Sequence, residues 1–377
     1  MSGKHGIVCM GLLMLLSSCH DDKQVTASGL QRKDFQTEVN GQYTDLFTLS
    51  NKKGMEVCIT NYGARVVSIL VPDKNGKRED VVCGFSTIGE YMEQRQNFGS
   101  TVGRYIGRIL NARFTLDGVE YKLVPNNGKS GHISHGGNPG FADRIWKVEQ
   151  ADTHRVRLSY LSPDGENGFP GNLKVTLVYS LGEDDNALDL TYEATTDAPT
   201  VLNLSHHSFF NISGNFTKSV EDQQLWVDAD RFTPYDDKKC VTGEYLQVAG
   251  TPLDFRMPHA IGECIDADHP QLKVVNGYDH TWELNTKGDD TRPAAWVYDP
   301  TSGRKMEIFT TEPGMQIYTG NGLKGKMTGK RGIAYPFRSA VCFETMHFQD
   351  SPNQPEFPST VLRPGEVFRS HTVYKFE

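Results

Sequence analysis

The sequence predicts an all-β protein, built as a sandwich or a barrel. Short segments with alternating apolar and polar residues recur along most of the 377 residues, and turns separate them. The 37 glycines supply many of these turns, and segments with a helical period are short. No low-complexity linker or internal repeat interrupts the pattern. We therefore expect one β domain over residues 37–377.

The elements follow from this alternation, which begins near Thr37. The segments with the clearest strand pattern are 47–49, 57–60, 64–71, 174–181, 187–195 and 367–376. A Pro-Asp-Lys-Asn-Gly turn ends the third segment, and residues 182–186 form a polar turn between the fourth and fifth, which predicts a hairpin. One short helix is predicted over residues 87–94.

The first 18 residues predict an export signal. Charged residues at Lys4 and His5 precede an apolar run over 7–16, which is too short to span a membrane. Small residues then lead to Cys19 in the pattern of a bacterial lipobox, which predicts cleavage before this cysteine and acylation of its thiol. The alternative is an ordinary signal peptide. We expect a polar tether over 19–36 and a lipoprotein that is periplasmic or anchored to the outer membrane.

Charge and cysteine content narrow the function classes. The chain has 39 basic and 47 acidic residues, a net charge of -8, so it lacks the basic footprint of a nucleic-acid partner. Apart from Cys9 and Cys19, five cysteines remain at scattered spacing without a C-x-x-C pair. An odd, scattered set predicts neither a disulfide framework nor a zinc site, and we expect most of the five in the core.

A carboxylate near the C-terminus is the first candidate for catalysis. An apolar run from Ala340 leads to Glu344, and a segment rich in proline and amides follows over 349–355. A carboxylate at the end of a core strand, beside a loop of hydrogen-bonding side chains, is suited to act as a general base in a sugar site. The alternative is a half-exposed glutamate at a strand end.

Two segments upstream contain further candidate residues for contact with a ligand. Segment 99–109 contains Arg104 and Arg108 among glycines, and forked guanidinium hydrogen bonds suit vicinal hydroxyls. Surface arginines lying over a strand are the alternative. Segment 132–141 places His132 and His135 beside glycines, where a histidine faces a ligand or caps a turn. Two histidines without a carboxylate or cysteine partner are weak evidence for a metal.

Adjacent histidines mark a third segment, 201–212. On an extended strand His206 and His207 point to opposite faces, so only one of them can enter a given cleft. An imidazole there titrates near neutrality and is suited to act as a general acid. The neighbouring Phe209 and Phe210 are either a stacking wall for a sugar or ordinary core.

Seven motifs occur in one order along the chain: Gly-Arg-Tyr…Arg-Ile at 103–109, His-Gly-Gly…Gly-Phe at 135–141, Ser-Pro-Asp-Gly-Glu-Asn-Gly-Phe-Pro-Gly at 162–171, Asn-Leu-Ser-His-His-Ser-Phe-Phe-Asn at 203–211, Gly-Tyr-Asp-His at 277–280, Pro-Gly-Met-Gln-Ile-Tyr-Thr-Gly-Asn at 313–321 and Phe-Glu-Thr-Met-His-Phe-Gln-Asp-Ser-Pro-Asn-Gln-Pro at 343–355. In this order they resemble the aldose 1-epimerase, or galactose mutarotase, family. The resemblance covers nearly everything after the tether. It implies a large antiparallel β-sandwich, a "supersandwich", with few short helices.

The resemblance also implies an activity, the interconversion of the α and β anomers of free aldohexoses of the glucose or galactose type. It implies no metal and no organic cofactor. By matched position, Glu344 is the expected general base at the C1 hydroxyl, and His207 is the expected general acid at the ring oxygen. The expected sugar-contacting residues are Arg108, His135, Asp279 and Gln316.

Five positions depart from the family pattern: Gly107 and His206 stand where asparagine is usual, Phe209 replaces a tyrosine, and Ser134 and Ala142 stand where leucine and aspartate are common. Two rival functions stay open. A non-catalytic sugar-binding lipoprotein on the same fold is one, and the retained acid–base pair argues against it. A metal-dependent sugar isomerase or lyase that uses the histidines is the other. The expected partners are a small aldose and, through Cys19 alone, a membrane; the sequence does not predict the oligomeric state.

Overall fold

The computed structural model describes residues 25–377 as a mostly antiparallel β protein, which confirms the predicted fold class. The largest sheet contains nine strands, in the spatial order Lys147–Ala151, Arg155–Ser162, Leu173–Leu181, Ala187–Thr196, Phe368–Phe376, Lys305–Thr310, Ala295–Tyr298, Gln224–Val227 and His259–Ala260. A six-stranded sheet contains Phe209–Phe210, Val341–Met346, Gly314–Tyr318, Asp279–Glu283, Arg231–Thr233 and Leu246–Gln247.

Smaller sheets complete the β structure. A four-stranded sheet contains Leu46–Ser50, Glu56–Thr60, Arg65–Pro72 and Arg78–Asp80. The two-stranded pairs are Glu38–Val39 with Gln42–Tyr43, Ser100–Val102 with Ser205–His207, Arg108–Ile109 with Ile133–Ser134, Arg113–Leu116 with Val119–Lys122, and Thr200–Val201 with Val361–Leu362. The six predicted strand segments coincide with strands, except that Ala64 and Val367 lie one residue before theirs, and the predicted hairpin is present.

The main core lies between the nine-stranded and six-stranded sheets. Along Phe368–Phe376 every second residue is buried, so one face of the large sheet points inward and the other toward solvent. Tyr374 on that inner face packs against Phe210 and donates a hydrogen bond to the carbonyl of Phe343 in the six-stranded sheet. Two facing sheets with a shared apolar layer make a β-sandwich.

Two short α-helices interrupt the strands. The predicted helix is α1, Ile88–Gln94, and a capping box between Thr87 and Glu90 fixes its start. A second helix, α2, Pro270–Val275, was not predicted, because six residues are too few to show a helical period. The 3₁₀ segments are Arg32–Phe35, Leu110–Ala112, Gly128–Ser130, Phe141–Asp143, Glu166–Gly168, Ile261–Glu263, Lys330–Gly332 and Ser351–Asn353.

The predicted tether is wrong over residues 25–36, which pack on the domain. Leu30 and Phe35 are buried in a hydrophobic cluster at the side of the four-stranded sheet. The backbone N–H groups of Ala27 and Ser28 donate to the buried carboxylate of Glu56. Apolar burial and these paired amides hold the segment in place. Within residues 25–377, no helix has the length and apolar character needed to cross a membrane.

His371, Asp189 and Asp290 form a histidine clamp at the large sheet, and it predicts a stability that depends on pH. His371 Nδ1 lies 2.6 Å from Asp290, and Nε2 lies 2.6 Å from Asp189. The hydrogen bond to Asp189, helped by Asp290, raises the pKa of His371 from 6.5 to about 9. Because the folded pKa is raised, the stabilisation is fully present below pH 6.5 and is lost as pH rises through about 9.

We expect His371→Gln to lower the free energy of unfolding by about 1–2 kcal/mol below pH 6.5, after allowance for the partial exposure of the clamp. The difference between variant and wild type should shrink as pH rises above 9. Urea unfolding of both proteins across this range measures it. A difference that is independent of pH would show that the imidazolium charge contributes nothing.

Candidate active site

A polar cleft of about 250 Å³ opens against the six-stranded sheet. All six residues that the family resemblance assigns to catalysis or sugar contact lie in its wall. The full lining is Gln96, Asn97, Gly107, Arg108, Ser134, His135, His207, Phe209, Asp279, Gln316, Tyr318, Glu344, Met346 and Gln349. Residues from positions 96 to 349 meet here, so the fold creates the site.

Three neighbouring strands of the six-stranded sheet form one side of the cleft. Glu344 lies directly opposite Gln316, and Gln316 lies directly opposite Thr281 on the next strand. Asp279 is two residues from Thr281 and therefore points to the same face. Opposed residues on one face of a sheet have β-carbons about 5 Å apart, so the pairing register alone gathers these polar groups.

Glu344 lies inside the strand Val341–Met346, where the sequence predicted it at a strand end. All six residues of this strand are buried. Phe343 points into the core between the sheets, whereas Glu344 and Met346 point into the cleft. A strand covered on both faces shows no polar alternation, so its end could not be predicted from the pattern.

The central feature is a buried pair, His207 and Glu344. Nε2 of the imidazole lies 3.3 Å from Oε1 of the carboxyl group, and the two side chains are 8% and 5% exposed. Nδ1 of the same ring lies 3.6 Å from Sγ of Cys342, two residues before the glutamate. Phe209 stacks on the imidazole with centroids 5.0 Å apart, and this fixes the plane of the ring. The arrangement is that of a general acid beside a general base.

Burial moves the two ionisation equilibria of this pair in opposite directions. It raises the pKa of Glu344 well above its ordinary value, and the nearby charge of Asp279 adds to the shift. It lowers the pKa of His207 well below its ordinary value, and His135 adds to that shift. Both shifts favour a pair that holds one proton in total, on the oxygen or on the nitrogen. One shared proton is the state that an acid–base pair needs.

His135 is a neutral hydrogen-bond donor at the rim of the pair. Burial and then the charge of Arg108 lower its pKa to about 4. The backbone N–H of Gly107 donates a long hydrogen bond of 3.4 Å to Nδ1. Because Nδ1 accepts, the ring proton lies on Nε2. His135 can therefore donate to a hydroxyl or to a ring oxygen.

Three further side chains, Gln316, Asp279 and Arg108, present hydrogen-bonding groups to the cleft. Gln316 donates from Nε2 to Asp279 Oδ1 at 2.7 Å. Burial raises the pKa of Asp279, and Arg108 partly offsets this. Arg108 itself donates a long hydrogen bond of 3.5 Å to the carbonyl of Lys239. A carboxylate accepts, a guanidinium donates and an amide does both, so the set suits a ring of hydroxyls.

The structure corrects the prediction that Arg104 contacts hydroxyls of a ligand. Its side chain is buried and donates to the carbonyls of Pro170 and Gly171 and to the hydroxyl of Ser162. A buried guanidinium needs this many acceptors, and the 162–171 loop supplies them. Only Arg108 of the two arginines lies in the cleft.

The other predicted histidines lie outside the cleft. His206 points to the opposite side from His207, between the rings of Tyr179 and Tyr374. Burial lowers its pKa to about 3. His132 accepts at Nδ1 from the backbone of Asn111, and its Nε2 lies 3.2 Å from Sγ of Cys240.

The five cysteines of the described range are free. Three of them, Cys58, Cys83 and Cys342, are buried, as expected for small core residues, and Cys240 and Cys264 are partly exposed.

Five residues of the cleft wall were not predicted: Gln96, Asn97, Tyr318, Met346 and Gln349. Met346 and Gln349 follow Glu344 closely in the last of the seven motifs, so proximity to Glu344 was the available signal. Gln96 and Asn97 carry no such signal, because they reach the cleft from the loop after α1.

The side chains of His207, Cys342 and Glu344 form the one group within residues 25–377 whose donor atoms could hold a metal ion. All three donor atoms lie within 4.8 Å of one another. The thiol, however, faces Nδ1 of the ring and the carboxylate faces Nε2. An ion binds imidazole in the ring plane at one nitrogen, so this geometry favours two hydrogen bonds over one shared ion.

A β-sandwich with a buried carboxyl–imidazole pair in a hydroxyl-binding cleft defines an acid–base enzyme that acts on sugars. The family model described as aldose 1-epimerase matches residues 45–375. The chain therefore belongs to the aldose 1-epimerase family, isomerases that interconvert the anomers of aldoses, which confirms the resemblance seen in the sequence.

Relatives agree with this assignment. Galactose mutarotase of Bos taurus is 40% identical over 323 residues, which cover 85% of this chain and 91% of the relative. Aldose 1-epimerase of Escherichia coli is 37% identical over 340 residues, which cover 89% and 96%. The crystal structure of an aldose epimerase homologue from C. elegans superposes with a TM-score of 0.81 at 31% identity, covering 89% of this chain and 99% of that one.

Proposed function

We propose that the chain interconverts the α and β anomers of free aldohexoses, with Glu344 as general base and His207 as general acid. The observation that carries the proposal is the pair itself, with 3.3 Å between Nε2 and Oε1, buried at the wall of a polar cleft. The name of the bovine relative, galactose mutarotase, favours a hexose as the substrate.

Ring opening needs one proton to leave the sugar and one to enter it. Glu344 takes the proton of the C1 hydroxyl while the bond between C1 and the ring oxygen breaks, and His207 gives a proton to that oxygen. The product is the open-chain aldehyde. Rotation about the C1–C2 bond presents the other face of the carbonyl, and reclosure reverses both transfers. The pair holds one proton before and after, so the cycle is balanced.

The remaining cleft residues bind the hydroxyls and keep the sugar in place. Arg108 and His135 offer N–H donors, Asp279 offers an acceptor, and Gln316 offers both. Positioning of this kind turns a slow encounter into a reaction within one complex. We expect purified protein to accelerate the optical-rotation change of freshly dissolved α-glucose, α-galactose or α-xylose, with a hexose preferred. Wild-type protein without effect on any of the three would refute the proposal.

We also propose that the protein is an exported lipoprotein, anchored through Cys19. The support is the sequence 1–19 alone, and Cys19 lies outside the residues that the structure describes. Expressed in a bacterium with residues 1–18, the wild type should partition into the detergent phase. Cys19→Ala should leave the protein in the aqueous phase, with Cys240→Ala as the matched control. A wild type found in the aqueous phase would contradict the anchor.

A further inference from the structure

Gly107 lies in the cleft wall, and the neighbouring atoms leave no room for a side chain at this position. The φ angle of Gly107 is +74°, in the left-handed region, which asparagine tolerates better than most residues. A β-carbon at this position would lie 2.5 Å from Cγ of Gln349, and the next nearest atoms also belong to the side chain of Gln349. The obstacle at 107 is thus another side chain rather than the backbone.

The Gln349 carboxamide occupies this space and bridges two residues of the proposed sugar site. Its side chain lines the cleft, and the residue is 5% exposed. Nε2 donates to the hydroxyl of Tyr235 at 2.7 Å and to Oε1 of Gln316 at 3.3 Å. Oε1 accepts from the backbone N–H of Arg108 at 3.3 Å. One amide therefore connects the strand of Arg108 to the side chain of Gln316.

Gln349 also determines which way the amide of Gln316 points. Thr281 and Gln349 both donate to Oε1 of Gln316, so the amide nitrogen faces Asp279. A flipped amide would place its N–H₂ group against the N–H₂ group of Gln349 and its oxygen against the carboxylate of Asp279, which costs both of these hydrogen bonds. Gln349 thereby helps to keep one arrangement of donors and acceptors in the cleft, and a fixed arrangement discriminates between hydroxyl configurations.

We propose that Gln349 is a positioning and specificity-determining residue of the sugar site, and that its carboxamide takes the place of a side chain at position 107. The inference rests on the proposed anomer interconversion. It predicts a separation of kinetic constants, because the pair that transfers protons is left intact. Loss of the carboxamide should raise KM and leave kcat near the wild-type value.

Four variants test this proposal against a purely steric role. Gln349→Ala should raise KM about 3- to 10-fold, as expected for one or two lost hydrogen bonds. Gln349→Met fills the same volume without an amide and should raise KM equally. Gly107→Asn should lower the melting temperature, because its β-carbon meets Gln349. In Gly107→Asn/Gln349→Ala the obstacle is gone and position 107 supplies an amide instead, so KM should fall below that of Gln349→Ala.

The substrate panel is α-galactose and α-glucose. We expect the ratio of their kcat/KM values to move toward one in Gln349→Met and to recover in the double variant. A wild-type KM and ratio in Gln349→Met would overturn the proposal, and so would a folded double variant with the KM of Gln349→Ala. Wild-type turnover, measured first, tests the proposed function separately. If the wild type shows no turnover, the dissociation constants of both sugars, measured by calorimetry, replace KM in the comparison of the variants.

Discussion

Glu344→Gln is expected to lower kcat for mutarotation by about 10²–10⁴-fold, the usual contribution of one positioned acid–base group. The amide keeps the size of the carboxyl group and one hydrogen-bond acceptor, but it cannot take a proton from the C1 hydroxyl. Burial has already raised the pKa of this carboxyl, so the group is a stronger base when ionised than an exposed glutamate. Polarimetry measures turnover, and calorimetry measures sugar affinity, which should change little.

The matched control for this variant is Glu56→Gln. Glu56 is also buried and also accepts hydrogen bonds, from the backbone of Ala27 and Ser28, but it lies outside the cleft. We expect it to affect the melting temperature without a loss of kcat. If Glu344→Gln kept a substantial part of the wild-type turnover, another group would be the base.

Much of the fold follows from the alternation of apolar and polar residues, and the two exceptions have different causes. Segments 174–181 and 187–195 alternate cleanly because one face of the nine-stranded sheet meets solvent. The strand Val341–Met346 is covered on both faces, so its apolar run could not place Glu344 within it. Leu30 and Phe35 are the two large apolar residues that segment 25–36 buries, too few to predict that it packs on the domain.

Part of the candidate site could be predicted from the motifs, and part could be recognised only in the folded structure. All six residues assigned from the motifs lie in the cleft wall, five of them on strands and His135 in the loop after Ile133–Ser134. Arg104 and Arg108 could not be told apart by type, since both lie among glycines; only the fold shows that one is surrounded by carbonyls. The sequence could not assign a role to Gln349, because its side chain fills the space that a side chain at Gly107 would need.

The adjacent histidines provide the sharpest test of the register of the strand Ser205–His207. In the structure His207 faces Glu344, while His206 lies between the rings of Tyr179 and Tyr374. His207→Asn should therefore lose about 10²–10⁴-fold in kcat, because an amide cannot deliver a proton to the ring oxygen. His206→Asn should keep most of the turnover, since it restores the usual residue of the family at a position outside the cleft.

The pH dependence separates an acid–base role from a role in packing. Wild-type kcat/KM should be bell-shaped, because activity requires the pair of His207 and Glu344 to hold one proton, and both apparent pKa values belong to the pair. His206→Asn should leave both limbs in place, since burial keeps that imidazole neutral with a pKa of about 3. His207→Asn should lose one limb together with its activity. The opposite ranking of the two variants would mean that the strand is shifted by one residue, which would turn every side chain to the other face. Equal and mild losses in both would favour a protein that binds sugars without converting them.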